Sequence, residues 1–286
     1  MNPFKLFLKD LFNPEPEVTL FKQLGINQIR LKSANSERFR KLLLHLNVDL
    51  IIVGTWKEKL RKDTFNIPKI ATVNVHPSLL PRYRGPNPYL QTILHGEKFS
   101  GVTLHLMDES YDSGSILSQQ KVEILPNDTS KELKERSVRV ARSLVADFIT
   151  DLNDKIITPI AQSEKYASYF PNISGEERML DFTFQSADDI SRTVRALYPF
   201  LPCYITHADR FLVVNPYSMQ VLLEDVGDVQ PGEILSKTPE KRSITIACKD
   251  KKAIRFSDLK LYNQKIFPEF FTEKYIDKKI DATYVL

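Results

Sequence analysis

Two short apolar runs constrain the fold most strongly: Val48–Gly54 (VDLIIVG) and Ile70–His76 (IATVNVH). Both are rich in β-branched residues, almost wholly apolar and too brief for a helix. That pattern belongs to strands buried on both faces of a parallel sheet. The second run also ends on polar residues, so it delivers Asn74 and His76 to the end of a strand.

Around these runs the hydrophobic period alternates. Ile26–Leu31 reads as a short strand, and Asn35 as the N-cap of a helix from Ser36 to about Leu46. A short helical stretch near Lys57–Thr64, a loop carrying Pro77, Pro81, Pro86 and Pro88, a helix over Tyr89–His95 and strands over Gly101–Met107 and Ile116–Ile124 follow. Thr129–Leu152 has helical spacing, with Leu133, Val140, Leu144 and Phe148 on one side. Strands alternating with helices imply an α/β unit, a Rossmann-like and mostly parallel sheet whose crevice lies outside the strand carboxyl ends. From about Ala161 the texture becomes short β-rich pieces separated by turns: Tyr204–Ile205, Phe211–Val214, Gln220–Leu223, Ser243–Cys248 and Ile254–Phe256, with one helix at Ala187–Leu197. The expected organisation is a first unit over 1–150, a linker over 151–164, and a small OB-like β-barrel over 165–286.

Composition narrows the class. A chain of 286 residues can bury two cores. Only Cys203 and Cys248 are present, without CxxC spacing or a nearby histidine pair, so neither a disulfide framework nor a thiolate metal site is expected. The apolar opening is broken by Lys5, Lys9 and Asp10, unlike a signal peptide, and no run is long enough to span a membrane. A soluble, cytoplasmic protein is expected. Residues 1–64 carry 12 Lys and Arg against 7 Asp and Glu, whereas residues 165–286 carry 17 of each. The balanced second half lowers the expectation that it grips nucleic acid by charge alone.

The chemistry concentrates in Asn74-Val75-His76-Pro77-Ser78-Leu79-Leu80-Pro81. Strand alternation puts Asn74 and His76 on one side. Further on, Met107-Asp108-Glu109-Ser110-Tyr111-Asp112-Ser113-Gly114 offers a carboxylate in a turn just past a strand. An amide N–H can stabilise an oxyanion on a tetrahedral carbon, which is worth roughly 3 to 4 kcal/mol. An imidazole can pass a proton, and a neighbouring aspartate favours its charged form. Singly, each residue is more often structural, a histidine closing a strand or an aspartate serving its turn. A metal set of His76, His105 and Asp112 is a rival, with His105 more simply a packed sheet residue.

The segments Asn74 to Gly85 (NVHPSLLPRYRG), Gly101-Val102-Thr103, Met107-Asp108 and Asp112 to Leu117 (DSGSIL) resemble the methionyl-tRNA formyltransferase family. Arg192 to Leu197 and Pro231 to Ile234 extend the resemblance weakly into its C-terminal domain. It implies Asn74, His76 and Asp112 as catalytic residues and 10-formyltetrahydrofolate as donor, with no metal. Ser78, Leu79, Leu80 and Pro81 would touch the donor. Its pterin would lodge between Thr55 and Trp56 on one side and Met107, Asp108 and Tyr111 on the other. For Trp56, core packing is an equal alternative. Arg82, Arg84 and Gly85 would meet an anionic acceptor or the folate tail, with a solvated basic loop as the other reading. The acceptor implied is a primary amine, first methionyl-tRNA and next a nucleotide-linked amino sugar. A formyltetrahydrofolate hydrolase and an inactive binding protein remain rivals. The family's first glycine-bearing strand has no counterpart here. Residues 4–12 read as an amphipathic helix instead, so weakened folate binding is expected.

Overall fold

The computed structural model describes residues 23–261, apart from 28, 30, 55, 57, 154–156, 174, 175, 208, 209 and 239–241. The amphipathic helix expected over residues 4–12 lies outside that range. Ser36, rather than Asn35, caps the helix that follows it: its Oγ accepts from the Phe39 N–H at 3.3 Å, and α1 runs Glu37–His45. Asn35 is buried. Its Nδ2 donates to the Lys59 carbonyl at 2.8 Å and its Oδ1 accepts from the Arg61 N–H at 2.7 Å, so it ties the helix start to a loop that follows in sequence. The described residues of 26–31 belong to no strand.

The elements that follow are β1 (Leu50–Val53), α2 (Lys62–Phe65), β2 (Ala71–His76), α3 (Pro88–Leu94), β3 (Phe99–Leu106), β4 (Ile116–Glu123) and α4 (Ser130–Asn153). The four strands lie in the order β1-β2-β3-β4. The α/β sheet is as the sequence implies, but its pairing is mixed: β1 and β2 are parallel, while β2–β3 and β3–β4 are antiparallel. The crossover through α2 keeps β2 parallel to β1. The loop and α3 then return the chain to the end of β2 where the strand finishes, so β3 must run back alongside it. The first apolar run is not buried on both faces either. Ile52 is 37% exposed, and β1 is the edge strand among the described residues.

One core lies between this sheet and α4, where Val73, Val102, Leu104 and Val122 pack against Leu133, Leu144 and Phe148, with Val140 partly buried beside them. The helical spacing predicted that face. Beyond α4, the segment from Ile157 to Phe170 runs along the first sheet, and Ile160 exchanges two 2.8 Å backbone bonds with Ile116.

The second half contains α5 (Ala187–Leu197), β5 (Tyr204–His207), β6 (Arg210–Val213), β7 (Met219–Leu222), β8 (Ile234–Thr238), β9 (Ser243–Ala247), β10 (Ala253–Phe256) and β11 (Lys260–Leu261). These strands form two antiparallel sheets, β7-β10-β9-β8 and β11-β6-β5. A capping box sets the start of α5, with Ser186 accepting from the Asp189 N–H and Asp189 accepting in return. β8 lacks a clear alternation of apolar residues because it is a largely exposed edge. The core around α5 includes Ile190, Val194 and Leu197, and also Leu90 from α3. Cys203 and Cys248 are buried as free thiols. Among the described residues, no helix is long and apolar enough to cross a membrane.

Leu133 is fully buried, whereas Ile149 on the same helix is 42% exposed. Leu133→Ala is expected to cost about 2–5 kcal/mol. Ile149→Ala should stay within about 0.5 kcal/mol of the parent. Urea unfolding midpoints of the two variants check the assignment of the face.

Candidate active site

Alternation along β2 turns Asn74 and His76 to the same face. Antiparallel register then sets His105 of β3 opposite Asn74, and Thr103 opposite His76. The loop after β3 folds back so that its carboxylate reaches this pair. Two local features fix that loop. Asp112 adopts a left-handed conformation with φ 55°. Gly114 lies flat against β3, where a Cβ would sit 1.9 Å from the Leu106 carbonyl oxygen, so no other residue fits.

Everything converges on Asp112 Oδ1. Asn74 Nδ2 donates to it at 3.3 Å, His76 Nδ1 lies 3.5 Å away and His105 Nε2 3.7 Å away. The second oxygen, Oδ2, accepts from the Gly85 N–H at 2.9 Å. Both imidazoles are buried, His76 at 4% and His105 at 2% exposure.

The partners dictate protonation. His76 Nε2 lies 2.8 Å from the Tyr83 carbonyl, which can only accept, so Nε2 carries the hydrogen and Nδ1 presents its lone pair toward Asp112. His105 Nδ1 donates to the Leu106 carbonyl at 2.8 Å, which leaves Nε2 to accept from Asn74 Nδ2 at 3.1 Å. The amide of Asn74 therefore has its NH2 toward the carboxylate, because the reverse orientation would set two acceptors against each other. Both hydrogens of that amide are engaged. Burial pushes the His76 imidazole below the ordinary histidine range, against the opposing pull of the Asp112 carboxylate and the bond to Tyr83. Burial pushes the Asp112 carboxyl up, but the pull of the His105 and His76 imidazoles whenever they carry an extra proton, together with the Gly85 N–H bond, leaves it below the ordinary aspartate range.

The loop after β2 is held by Thr103, whose Oγ1 donates to the Ser78 carbonyl at 2.6 Å and accepts from the Leu80 N–H at 3.3 Å. Ser78 and Leu80 are buried, with Ser78 Oγ bonded to the Arg82 carbonyl at 2.9 Å. Leu79 covers Gly101, where an added Cβ would lie 2.3 Å from its Cδ2. Only Leu79 and Pro81 of this quartet keep partly exposed side chains.

The two loops expected to flank a pterin do meet. Met107 packs with Val53 on a small cluster of Ala34, Leu60 and Phe65. Lys59 Nζ lies 4.8 Å from the Tyr111 ring centre, and Lys62 pairs with Glu109 at 2.5 Å. Trp56 is 46% exposed, which removes the core-packing reading, and Tyr111 is 56% exposed. Asp108 holds its own turn, accepting from the Ser110 N–H and the Ser113 hydroxyl at 3.0 and 2.9 Å. Thr55 lies outside the described residues.

Of the three acceptor candidates, Arg82 remains half exposed and pairs with Glu97. Arg84 must be corrected: it is buried, and its guanidinium donates to Gln162 Oε1 at 2.9 and 3.2 Å and to the Glu164 carboxylate at 2.8 and 3.1 Å. A guanidinium so engaged is not presented to an incoming anion. Gly85 offers its N–H to Asp112 rather than outward, and a Cβ there would meet the Phe170 carbonyl oxygen at 2.4 Å. Sequence reasoning left His105 as packing and passed over Gln162, since each acquires its place only through long-range register.

Residues 8–149 match the family model described as formyl transferase, and residues 172–273 match the model of its C-terminal domain. A methionyl-tRNA formyltransferase of Halothermothrix orenii is 30% identical, the alignment covering 88% of this chain and 79% of that one. A solved N-formyltransferase from Helicobacter canadensis, in complex with folinic acid and dTDP-3-aminofucose, superposes with a TM-score of 0.62 at 19% identity over 86% of this chain and 82% of its own. HypX from Aquifex aeolicus, in complex with tetrahydrofolic acid, superposes with a TM-score of 0.58 at 20% identity over 81% of this chain and 41% of that longer chain. The two structural likenesses establish a shared fold, and the sequence match goes further. The chain belongs to the formyl transferase family and is a folate-dependent formyltransferase.

Proposed function

We propose that this enzyme transfers a formyl group from 10-formyltetrahydrofolate to the amine of methionyl-tRNA, with Asn74, His76 and Asp112 as its catalytic residues. The carrying observation is that an amide and an imidazole, Asn74 and His76, both lie within 3.5 Å of the Asp112 carboxylate. Support for the acceptor comes from the methionyl-tRNA formyltransferases at 30% identity over most of the chain.

The donor supplies an activated formyl carbon, and the protein's part is to manage one proton and one developing negative charge. His76 is held neutral by burial, with its lone pair on Nδ1. That atom accepts the proton from the attacking amine and returns it to N10 of the donor as the bond between N10 and the formyl carbon breaks, leaving tetrahydrofolate and the formylated amine. Asp112, ionised and 3.5 Å away, stabilises the imidazolium between the two transfers. Asn74 supplies an N–H to the formyl oxygen by giving up its 3.3 Å bond to Asp112, the longer of its two. His105 keeps the amide oriented during that exchange. On this reading Ser78 to Pro81 shape the donor pocket mainly through their backbone, while Trp56, Met107, Asp108 and Tyr111 form the walls for the pterin. Arg82 is the acceptor-side cation.

A second acceptor, a nucleotide-linked amino sugar, is favoured by two observations. The fold matches an N-formyltransferase solved with dTDP-3-aminofucose, and residues 165–286 carry no excess of positive charge. Incubating the protein with 10-formyltetrahydrofolate and either methionyl-tRNA or a dTDP-linked amino sugar, then weighing the products, separates the readings. Formylated methionyl-tRNA is expected. Formylation of the sugar alone would transfer the assignment, and formate release undiminished without any amine would indicate a hydrolase.

His76→Ala and Asp112→Asn should each lower kcat by about 100-fold or more, the scale of positioned acid-base groups. The acid limb of the kcat profile should fall below the ordinary histidine value of about 6.5. His76 faces Asp112, His105 and the Tyr83 carbonyl. Asp112→Asn removes the one group among them whose charge raises its pKa, so in the residual activity of that variant the limb should move lower still. A limb at or above the ordinary value would mean that His76 is not the proton acceptor.

A further inference from the structure

The segment after α4 does more than connect two halves. Gln162 spends both amide hydrogens on the turn that carries the carboxylate: its Nε2 donates to the Asp112 carbonyl at 2.9 Å and to the Gly114 carbonyl at 2.7 Å. Its Oε1 meanwhile accepts two bonds from Arg84. Arg84 sits between Tyr83, whose carbonyl receives the His76 Nε2–H, and Gly85, whose N–H donates to Asp112 Oδ2. One side chain thus bridges the loop that fixes the imidazole and the loop that fixes the carboxylate.

Other bonds anchor the same segment. Ser168 Oγ accepts from the Tyr83 N–H at 2.9 Å, the Arg84 N–H donates to the Ser168 carbonyl at 2.8 Å, and the Phe170 and Tyr83 rings stack with centres 5.0 Å apart. All of these hold the first loop. Within this segment the Asp112 turn is bonded by the Gln162 side chain and, just beyond it, by the Ile160–Ile116 backbone pair. Asp112 takes a left-handed conformation within this turn, and its carbonyl is one of the two that the Gln162 amide holds. Few side chains can do this: the site requires two donors and an acceptor at that reach, which a glutamate or an apolar residue lacks.

We infer that Gln162 is a positioning residue for formyl transfer, setting the distance between the Asp112 carboxylate and His76 by holding the Asp112–Gly114 turn against Arg84. This rests on the reading of Asp112 and His76 as catalytic. The 3.3 and 3.5 Å separations around Oδ1 leave little slack, so a turn that relaxes by about 1 Å loses catalysis without losing a binding surface.

Two near-isosteric substitutions test it. Gln162→Met removes every bond, while Gln162→Glu keeps the length and the pairing with Arg84 but removes the two donors. Both are expected to lower kcat by about 10-fold to 100-fold, with KM for donor and amine within threefold of the parent. Gln162→Glu should melt within a few degrees of the parent, and if Gln162→Met does not fold, Gln162→Glu decides alone. A kcat within threefold of the parent in Gln162→Glu, or a loss carried by KM for the donor, overturns the inference. The parent and Asp112→Asn are assayed alongside: no transfer by the parent, or full transfer by Asp112→Asn, would instead bring down the assignment of the site.

Discussion

A carboxylate withdrawn from water is the constraint around which this protein is arranged. Burying an ionised group costs several kcal/mol unless its oxygens are bonded and its charge is met. Asp112 meets the condition with a backbone N–H on one oxygen and the Asn74 amide on the other, and two imidazoles that can take up positive charge stand beside the second oxygen. None of the four comes from its own turn. They arrive from β2, from β3 and from the loop after β2, so the ionised state of one side chain depends on three separate segments being in register. The carboxylate in turn orders those segments: it orients the Asn74 amide and offsets part of the burial penalty on His76.

The reversal of β3 is what makes this assembly possible. Had β3 run parallel to β2, its last residues would extend past the end of β2, and no imidazole would stand opposite Asn74. Running antiparallel, it sets His105 across from Asn74, with the bulge between Leu104 and His105 adjusting the pairing to β4. The site consequently sits over the face of the sheet near the end of β2, rather than in a crevice beyond parallel strand ends.

The sequence discloses the part of this that is local. Asn74 and His76 could be paired because alternation within a strand is a property of consecutive residues. Asp112 was recognisable as a turn carboxylate by its glycine neighbour, and the resemblance in NVHPSLLPRYRG joined the two. Helices with a strong apolar face, such as those over 130–153 and 187–197, were equally legible. What stayed hidden depends on long-range placement. Arg84 reads as a solvated cation until Gln162 and Glu164, 78 and 80 residues further on, arrive to bury it. His105 looks like one more sheet residue until the strand direction is known. Val48–Gly54 looks central because its composition is apolar, although among the described residues it forms an edge.

The helix α3 has a role that neither half reveals by itself. Tyr89 and Leu94 each touch both hydrophobic cores, Leu90 is built into the second, and Ala196 of α5 is built into the first. The hydroxyl of Ser130 reaches the Ala196 carbonyl, and Arg195 donates to the Asp128 carbonyl at 2.9 Å. Opening either lobe by heat or denaturant therefore exposes apolar surface belonging to both, which couples their stabilities. The molecule should lose its structure in a single cooperative step, so a packing defect far out in the β-rich lobe would be felt as a loss of folded enzyme rather than as a local fault.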